Sequence, residues 1–333
     1  MKEARYYEKL DQGFVQCRLC PKACKIADGR AGVCLGRINR GGELYADSYG
    51  RLVSAAMDPI EKKPLYHFHP GADILSVATY GCNLSCPFCQ NHEISKRRTE
   101  GRFTSPEELV RLARQEGSLG VAYTYTEPLV WFEYLLDACP LVRKAGLKNV
   151  LVTNGMINEE PLKELLPQID AMNIDLKSIR PGFYSDFIGG DLATVMNTIT
   201  AARKRCHVEL TNLLIPGKND SEAELGELVD FVASLGRDTA LHFSRYFPHY
   251  RLEIPETPVA TLMRAREIAR QRLDYVYVGN VVPARDGCDT LCPRCGNLLV
   301  ERRLSRARVA GIEAGKSETA HCARCGRPAD FIL

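Results

Sequence analysis

The sequence predicts an α/β fold: a partial (β/α) barrel of about six units, flanked by a small N-terminal Cys-rich module and a C-terminal zinc-ribbon-like module. Three observations carry that expectation. The 333 residues are 45% hydrophobic and 26% charged, a composition that fills a sizeable core and excludes a disordered or fibrous chain. From about residue 72 to 282, short β-branched apolar runs alternate with amphipathic stretches, as strands alternate with return helices. Eight of the fourteen cysteines sit at the two ends and three more at 82–89, so the ends differ in kind from the middle. The expected organisation is 1–70 for the Cys-rich module and linker, 71–285 for the barrel core and 286–333 for the ribbon-like module.

Residues 1–50 are rich in Cys, Gly and Arg with little periodicity, the pattern of a metal-knit module whose strands are short. The core strands are ILSVATY (74–80), VAYTYT (121–126), NVLVT (149–153), AMNIDL (171–176), HVELTNLLI (207–215), ALHFSRY (240–246) and YVYVG (275–279). They are apolar enough for burial on both faces, which favours parallel pairing under covering helices. Ser105-Pro106-Glu107-Glu108 reads as an N-cap, a first-turn proline and a capping-box glutamate, and Ser221 with Glu224 repeats the box. Leu225, Leu228, Val229, Val232 and Leu235 then keep helical spacing up to a stop at Gly236. Thr257-Pro258 opens a further helix. A seven-strand doubly wound sheet is the alternative that periodicity leaves open.

Net charge is +3, spread as +5 over residues 1–40, +4 over 292–333 and −6 between them. No run of about 18 apolar residues is present, so no membrane span is expected. The opening MKEARYYEKLDQGF lacks an apolar stretch of signal-peptide length, which points to the cytoplasm. In a reducing compartment, Cys-x2-Cys pairs hold metal rather than disulfides.

The strand at 74–80 runs into Gly81-Cys82-Asn83-Leu84-Ser85-Cys86-Pro87-Phe88-Cys89-Gln90-Asn91-His92. Three thiolates at x3 and x2 spacing can hold three irons of a 4Fe–4S cluster and leave the fourth open. An open coordination position marks a reactive metal site. The alternative is a zinc loop borrowing a ligand such as His92. Polar groups also end the later strands: Glu127 with Pro128, Asn154 with Gly155, Asp175 and Lys177, then Thr211 and Asn212. On a barrel such ends converge on one mouth.

This Cys-x3-Cys-x2-Cys loop, with Phe88 before its last cysteine, resembles the signature of radical S-adenosylmethionine (SAM) enzymes. Tyr125-Thr126-Glu127-Pro128 stands where related activating enzymes have Gly-Gly-Glu-Pro, a segment that binds the SAM amino group; the glutamate is kept and both glycines are replaced. Thr153-Asn154-Gly155 resembles their third-strand segment, and Asp175-Leu176-Lys177 their fourth-strand Asp-Leu-Lys, which lines the substrate side. Thr211 and Asn212 lie where such enzymes contact the SAM ribose or carboxylate. The stretches at 17–37, 58–71, 79–95 and 123–128 and the terminal CPRCG and CARCG resemble the narrower AmmeMemoRadiSam system radical SAM enzymes, which are similar to pyruvate formate-lyase activating enzyme.

The resemblance implies a 4Fe–4S cluster on Cys82, Cys86 and Cys89, with SAM contacts from Phe88, Glu127, Asn154, Asp175, Lys177, Thr211 and Asn212. It implies reductive cleavage of SAM to a 5′-deoxyadenosyl radical that takes hydrogen from an unidentified substrate, a protein partner among the options. A glycyl-radical-enzyme activase is the narrower alternative. The implied partners are a flavodoxin- or ferredoxin-type electron donor and proteins of the Memo and AMMECR families.

Cys292, Cys295, Cys322 and Cys325 form two knuckles, each with a following glycine, and read as a structural zinc site. Cys17, Cys20, Cys24 and Cys34 suit zinc or a second cluster; their closed ligand set favours zinc. Cys139 and Cys206 read as small buried hydrophobes and Cys288 as a spare ligand or neither. DPIEKKPLYHFHPG (58–71) is expected to wall the active-site mouth or to form a docking surface rather than serve only as a linker. Basic ends with metal knuckles also raise a nucleic-acid-binding protein without SAM chemistry, but no aromatic stacking set accompanies the charges, so nucleic acid is not the expected partner.

Overall fold

The computed structural model of the chain describes residues 1–281, 287–304, 306–314 and 320–333. The main sheet has β1 (Ser54–Pro59), β2 (Asp73–Ala78), β3 (Gly120–Tyr123), β4 (Lys148–Thr153), β5 (Ala171–Asp175), β6 (His207–Leu214), β7 (Leu241–Arg245) and β8 (Val276–Gly279). These lie side by side in chain order. From β2 to β8 every pairing is parallel, with Val121 opposite Leu75 and Asp175 opposite Thr211. A doubly wound sheet would reverse direction from its first strand, so the strand order excludes it. The buried face of each strand explains the pairing: all four residues of β3 are buried, and a Cβ on Gly120 would lie 2.0 Å from the Lys148 carbonyl oxygen. Such two-sided burial needs layers above and below, which return helices supply.

β1 was not foreseen. It pairs antiparallel on the outer edge of β2, with Ser54 opposite Ala78 and Pro59 opposite Asp73, and lies within the stretch 1–70 assigned to module and linker. Its residues are mostly exposed or half-buried, so it carries no apolar signal. The expected boundary between 285 and 286 lies outside the described residues.

The helices that cover the sheet are α1 (Pro106–Gln115), α2 (Phe132–Lys144), α3 (Glu159–Leu165), α4 (Leu192–Arg203), α5 (Glu222–Leu235) and α6 (Val259–Arg270). Ser105 and Ser221 cap α1 and α5, accepting from the Glu108 and Glu224 amides at 3.2 and 3.3 Å. Leu225, Leu228, Val229 and Val232 are buried along α5, each worth ~1.5–3 kcal/mol of apolar burial. Thr257 does not cap α6. Its hydroxyl donates to the Leu214 carbonyl at 2.6 Å and accepts from the Tyr246 amide, tying the loop to β6 instead. Among the described residues, no helix is long and apolar enough to cross a membrane.

The N-terminal module is built from strands of two to four residues, and Arg37 fastens it to the core. That guanidinium is 1% exposed and pairs with the buried Glu133 of α2, while donating to the Arg5 carbonyl at 2.8 Å. Removing one member of a buried pair strands the other charge. Glu133→Leu is therefore expected to lower unfolding free energy by ~3–5 kcal/mol in urea melts, with Arg37→Met/Glu133→Leu recovering most of the loss.

The C-terminal module docks under the sheet through a directed chain of hydrogen bonds. Arg302 donates to the Thr290 hydroxyl at 2.7 Å, which lies 2.8 Å from the Tyr277 hydroxyl, itself 2.6 Å from His67 Nε2. His67 Nδ1 meets the Asp330 carbonyl, which can only accept, so Nδ1 carries the proton and Nε2 accepts from Tyr277. The His67 ring also stacks on Phe331 at 4.2 Å. Beside it, Glu209 accepts from the His67 amide, His207 and His242. Burial would raise that carboxyl's pKa, but the two imidazoles outweigh it and hold the group well below the usual range. The segment 58–71 is thus partly a structural joint.

Candidate active site

The C-terminal ends of the parallel strands surround a cavity of about 330 Å3. Cys82, Cys86 and Cys89 enter from the loop after β2, Glu127 from the loop after β3, and Thr153 and Asn154 from the end of β4. Asp175 and Lys177 come from β5 and the residues after it, Thr211 from β6, and Lys62 and Lys63 from the segment after β1. The fold therefore gathers residues up to 218 positions apart, from Lys62 to Asn280, around one space.

The cysteine loop is held from several sides. The Gly81 amide donates to the Ile94 carbonyl at 2.9 Å, the Ser85 amide to Ile188 at 2.8 Å, and the Lys96 ammonium to the Leu84 carbonyl. Cys82 Sγ receives the Leu84 amide at 3.4 Å and Asn154 Nδ2 at 3.6 Å, and Cys89 Sγ lies 3.1 Å from the Ser95 hydroxyl. Burial pushes the Cys82 thiol up to about 12, so the bare loop holds a thiol that ionises on binding metal. Phe88 packs toward Phe187 at 5.8 Å and lines the cavity. His92 stacks on Tyr250 at 4.5 Å and is not among the lining residues, so the cavity gives the borrowed-ligand alternative no support from His92.

Glu127 is 2% exposed and accepts three hydrogen bonds: the Thr153 hydroxyl at 2.6 Å and the Leu129 amide at 3.0 Å on Oε1, and the Asn154 amide at 2.8 Å on Oε2. A carboxylate has about four acceptor sites, so one stays open on Oε2. Burial raises its pKa to about 7 against the pull of those donors. The replaced glycines have a visible consequence. Tyr125 stands at φ +65°, a conformation that costs a non-glycine residue ~1–2 kcal/mol. Its ring lies 4.5 Å from the Lys63 ammonium and its hydroxyl bonds Asp58, which holds it there.

Lys177 pairs with Asp175 at 2.9 Å. Burial disfavours its charge, but Asp175 and Cys86 outweigh that and keep it protonated. Thr211 lines the cavity and donates to Asn173 at 2.9 Å. Asn212 does not line the cavity. Adjacent strand residues face opposite ways, and Asn212 turns into the core to donate to the Leu176 carbonyl at 2.7 Å. Sequence reasoning also missed Asn83, whose side chain links Asn154 at 2.9 Å to the Met156 carbonyl at 2.7 Å. Its place between two loop cysteines was the available signal.

The C-terminal knuckles face each other. Cys292 Sγ lies 3.6 Å from Cys325 Sγ and Cys295 Sγ 3.7 Å from Cys322 Sγ. In each knuckle the glycine amide after the second cysteine donates to the carbonyl of the first at 2.9 Å, with Gly296 and Gly326 at φ +70° and +67°. All four sulfurs lie within 4.8 Å of one another, so the group could hold a metal ion. Cys288 instead donates to the Val278 carbonyl at 3.4 Å. Cys139 is fully buried, as expected, and Cys206 is half-buried.

Sheet order and cavity define an α/β protein with a thiol-lined site at its strand ends, and the family match makes it an enzyme of the radical type. The chain belongs to the radical SAM superfamily, whose pattern matches residues 76–232. It is 44% identical to the uncharacterized protein MJ0808 of Methanocaldococcus jannaschii over the whole of both chains. It is 22% identical to pyruvate formate-lyase-activating enzyme of Clostridium pasteurianum, covering 46% of this chain and 67% of that one. A radical SAM methyltransferase structure from Sphaerobacter thermophilus shares the fold at TM-score 0.51 and 17% identity, over 66% of this chain and 70% of that one. Membership implies a 4Fe–4S cluster and SAM, and three thiols lining one cavity are a fitting donor set.

Proposed function

We propose that Cys82, Cys86 and Cys89 hold the cluster, that Glu127 with Asn154 and Thr211 positions SAM, and that Asp175 and Lys177 face the substrate. The observation that carries this reading is the shared cavity, which all eight side chains line. When bound, the cluster and SAM supply a one-electron cleavage that releases a 5′-deoxyadenosyl radical for hydrogen abstraction. The chain's own contribution is position and polarity. Glu127 presents a buried anion to a cationic amino group, Asn154 orients the Cys82 sulfur, and the Lys177–Asp175 pair offers a fixed dipole on the cavity wall. Phe88 and Leu84 shield the loop from water.

The similarity to an activating enzyme, together with the sequence resemblance to AmmeMemoRadiSam system enzymes, supports a protein substrate, with Memo- and AMMECR-family proteins as partners and a flavodoxin- or ferredoxin-type donor in the cytoplasm. Four convergent C-terminal thiols support a structural zinc site. The test is anaerobic reconstitution with iron, sulfide, SAM and dithionite, with deuterated partner protein added. The expected result is 5′-deoxyadenosine that carries deuterium and is lost in Cys82→Ala. Equal product from both chains, or none from either with the cluster intact, would overturn the proposal.

A further inference from the structure

The four N-terminal cysteines meet at a second buried place. Cys17 ends one short strand, Cys20 and Cys24 lie in the turn that follows, and Cys34 precedes the strand at Arg37–Arg40. All four line one small cavity, closed by Leu129, Val130 and Met156 of the core.

Their spacing separates them from the C-terminal set. A tetrahedral zinc with Zn–S near 2.3 Å needs sulfurs ~3.8 Å apart, as the knuckles provide at 3.6 and 3.7 Å. Among the described residues, the knuckle cysteines are the group gathered within 4.8 Å; the N-terminal four are not so gathered, and neither are Cys82, Cys86 and Cys89. The N-terminal set thus shares the wider spacing of the loop whose family implies an iron–sulfur cluster. The buried Arg37 guanidinium, paired with Glu133, also donates to Cys17 Sγ at 3.5 Å, a contact that suits a four-thiolate metal site.

The structure assigns Cys17, Cys20, Cys24 and Cys34 to a second four-iron cluster, closed by four thiolates, rather than to zinc. With no open iron, such a cluster suits electron transfer rather than substrate binding. It would adjoin the first site. A Cβ on Gly81 would lie 2.1 Å from the Cys34 carbonyl oxygen, so only glycine lets the module press against the residue before Cys82. Asn83 lines the N-terminal cavity and accepts from Asn154, which in turn reaches Cys82 Sγ, so two hydrogen bonds lead from that cavity's wall to the first centre.

The test is metal and acid-labile sulfide analysis of the anaerobically reconstituted full chain, with EPR of the dithionite-reduced protein before and after SAM. Wild type is expected to hold ~8 iron and ~8 sulfide, with SAM altering only one of two signals. Cys82→Ala/Cys86→Ala/Cys89→Ala is expected to keep ~4 of each and the SAM-insensitive signal, and adding Cys20→Ser/Cys34→Ser removes them. Two zinc ions per wild-type chain with ~4 iron, all SAM-sensitive, would overturn the assignment. Failure of the first site instead gives equal iron in wild type and the triple alanine chain, so the two readings fail separately. The wild-type counts decide the matter even if a variant does not fold.

Discussion

Glu127→Gln is expected to weaken SAM binding by about 10- to 150-fold, the loss of one hydrogen bond to a charged group worth ~1.5–3 kcal/mol. The geometry explains why so conservative a change has so large an effect. Three donors converge on the carboxylate, from Thr153, Leu129 and Asn154. An amide has only one accepting oxygen, so in either orientation its NH2 faces a backbone N–H, and a buried donor is left unpaired. The anion offered to the SAM amino group disappears at the same time. Equilibrium dialysis under anaerobic conditions measures the change, and a chain that keeps its melting profile separates lost binding from lost fold. Wild type adds a pH signature. Burial raises Glu127 to about 7, so the carboxylate needed for binding is present above that pH and lost below it. SAM affinity should fall about tenfold per unit below pH 7 in wild type and stay flat in Glu127→Gln. Stability runs the other way. The folded acid binds its proton more tightly than the unfolded one at 4.5, so this group's contribution declines as pH rises from about 4.5 to 7.

Much of this arrangement was readable because burial and spacing write themselves into sequence. The seven parallel strands are apolar on both faces, and the capping serines at 105 and 221 announce their helices. The thiol loop and Glu127 follow from where strands end. What stayed hidden depends on context. The strand at 54–59 is an exposed edge, and its pairing comes from β2 rather than from its own pattern. Thr257 has the look of a cap, yet its hydroxyl finds a better partner in the Leu214 carbonyl. Asn212 sits beside Thr211 in the chain, and only the pleat decides which of two neighbours faces the cavity. His67 reads as a mouth residue, but no local signal shows that Tyr277 and Asp330 wait 210 and 263 positions away.

Cys292→Ser/Cys322→Ser is expected to release one zinc ion per chain and to unfold the C-terminal module, while the parallel sheet keeps its own cooperative transition. The module's apolar core is small, centred on Leu299, Val300, Ala320, Ala329 and Phe331 with the cysteines themselves. So small a core does not hold its strands unaided. Zinc binding to such sites contributes ~10–16 kcal/mol of apparent folding free energy, far beyond what those side chains supply. Limited proteolysis should therefore cut 286–333 in the variant or after strong chelation, and leave it intact in wild type. Docking to the sheet carries a second control. Burial holds His67 down to about 3, so it stays neutral when the tail covers it and returns to about 6.5 when released. Docking is complete above pH 6.5 and weakens as pH falls toward 3, by ~2 kcal/mol at pH 5. Zinc-loaded wild type should then lose protection of the tail at pH 5 before the sheet melts, whereas the zinc-free variant is cut at both pH values. A tail equally protected at pH 5 and 7 would show that His67 does not gate its docking.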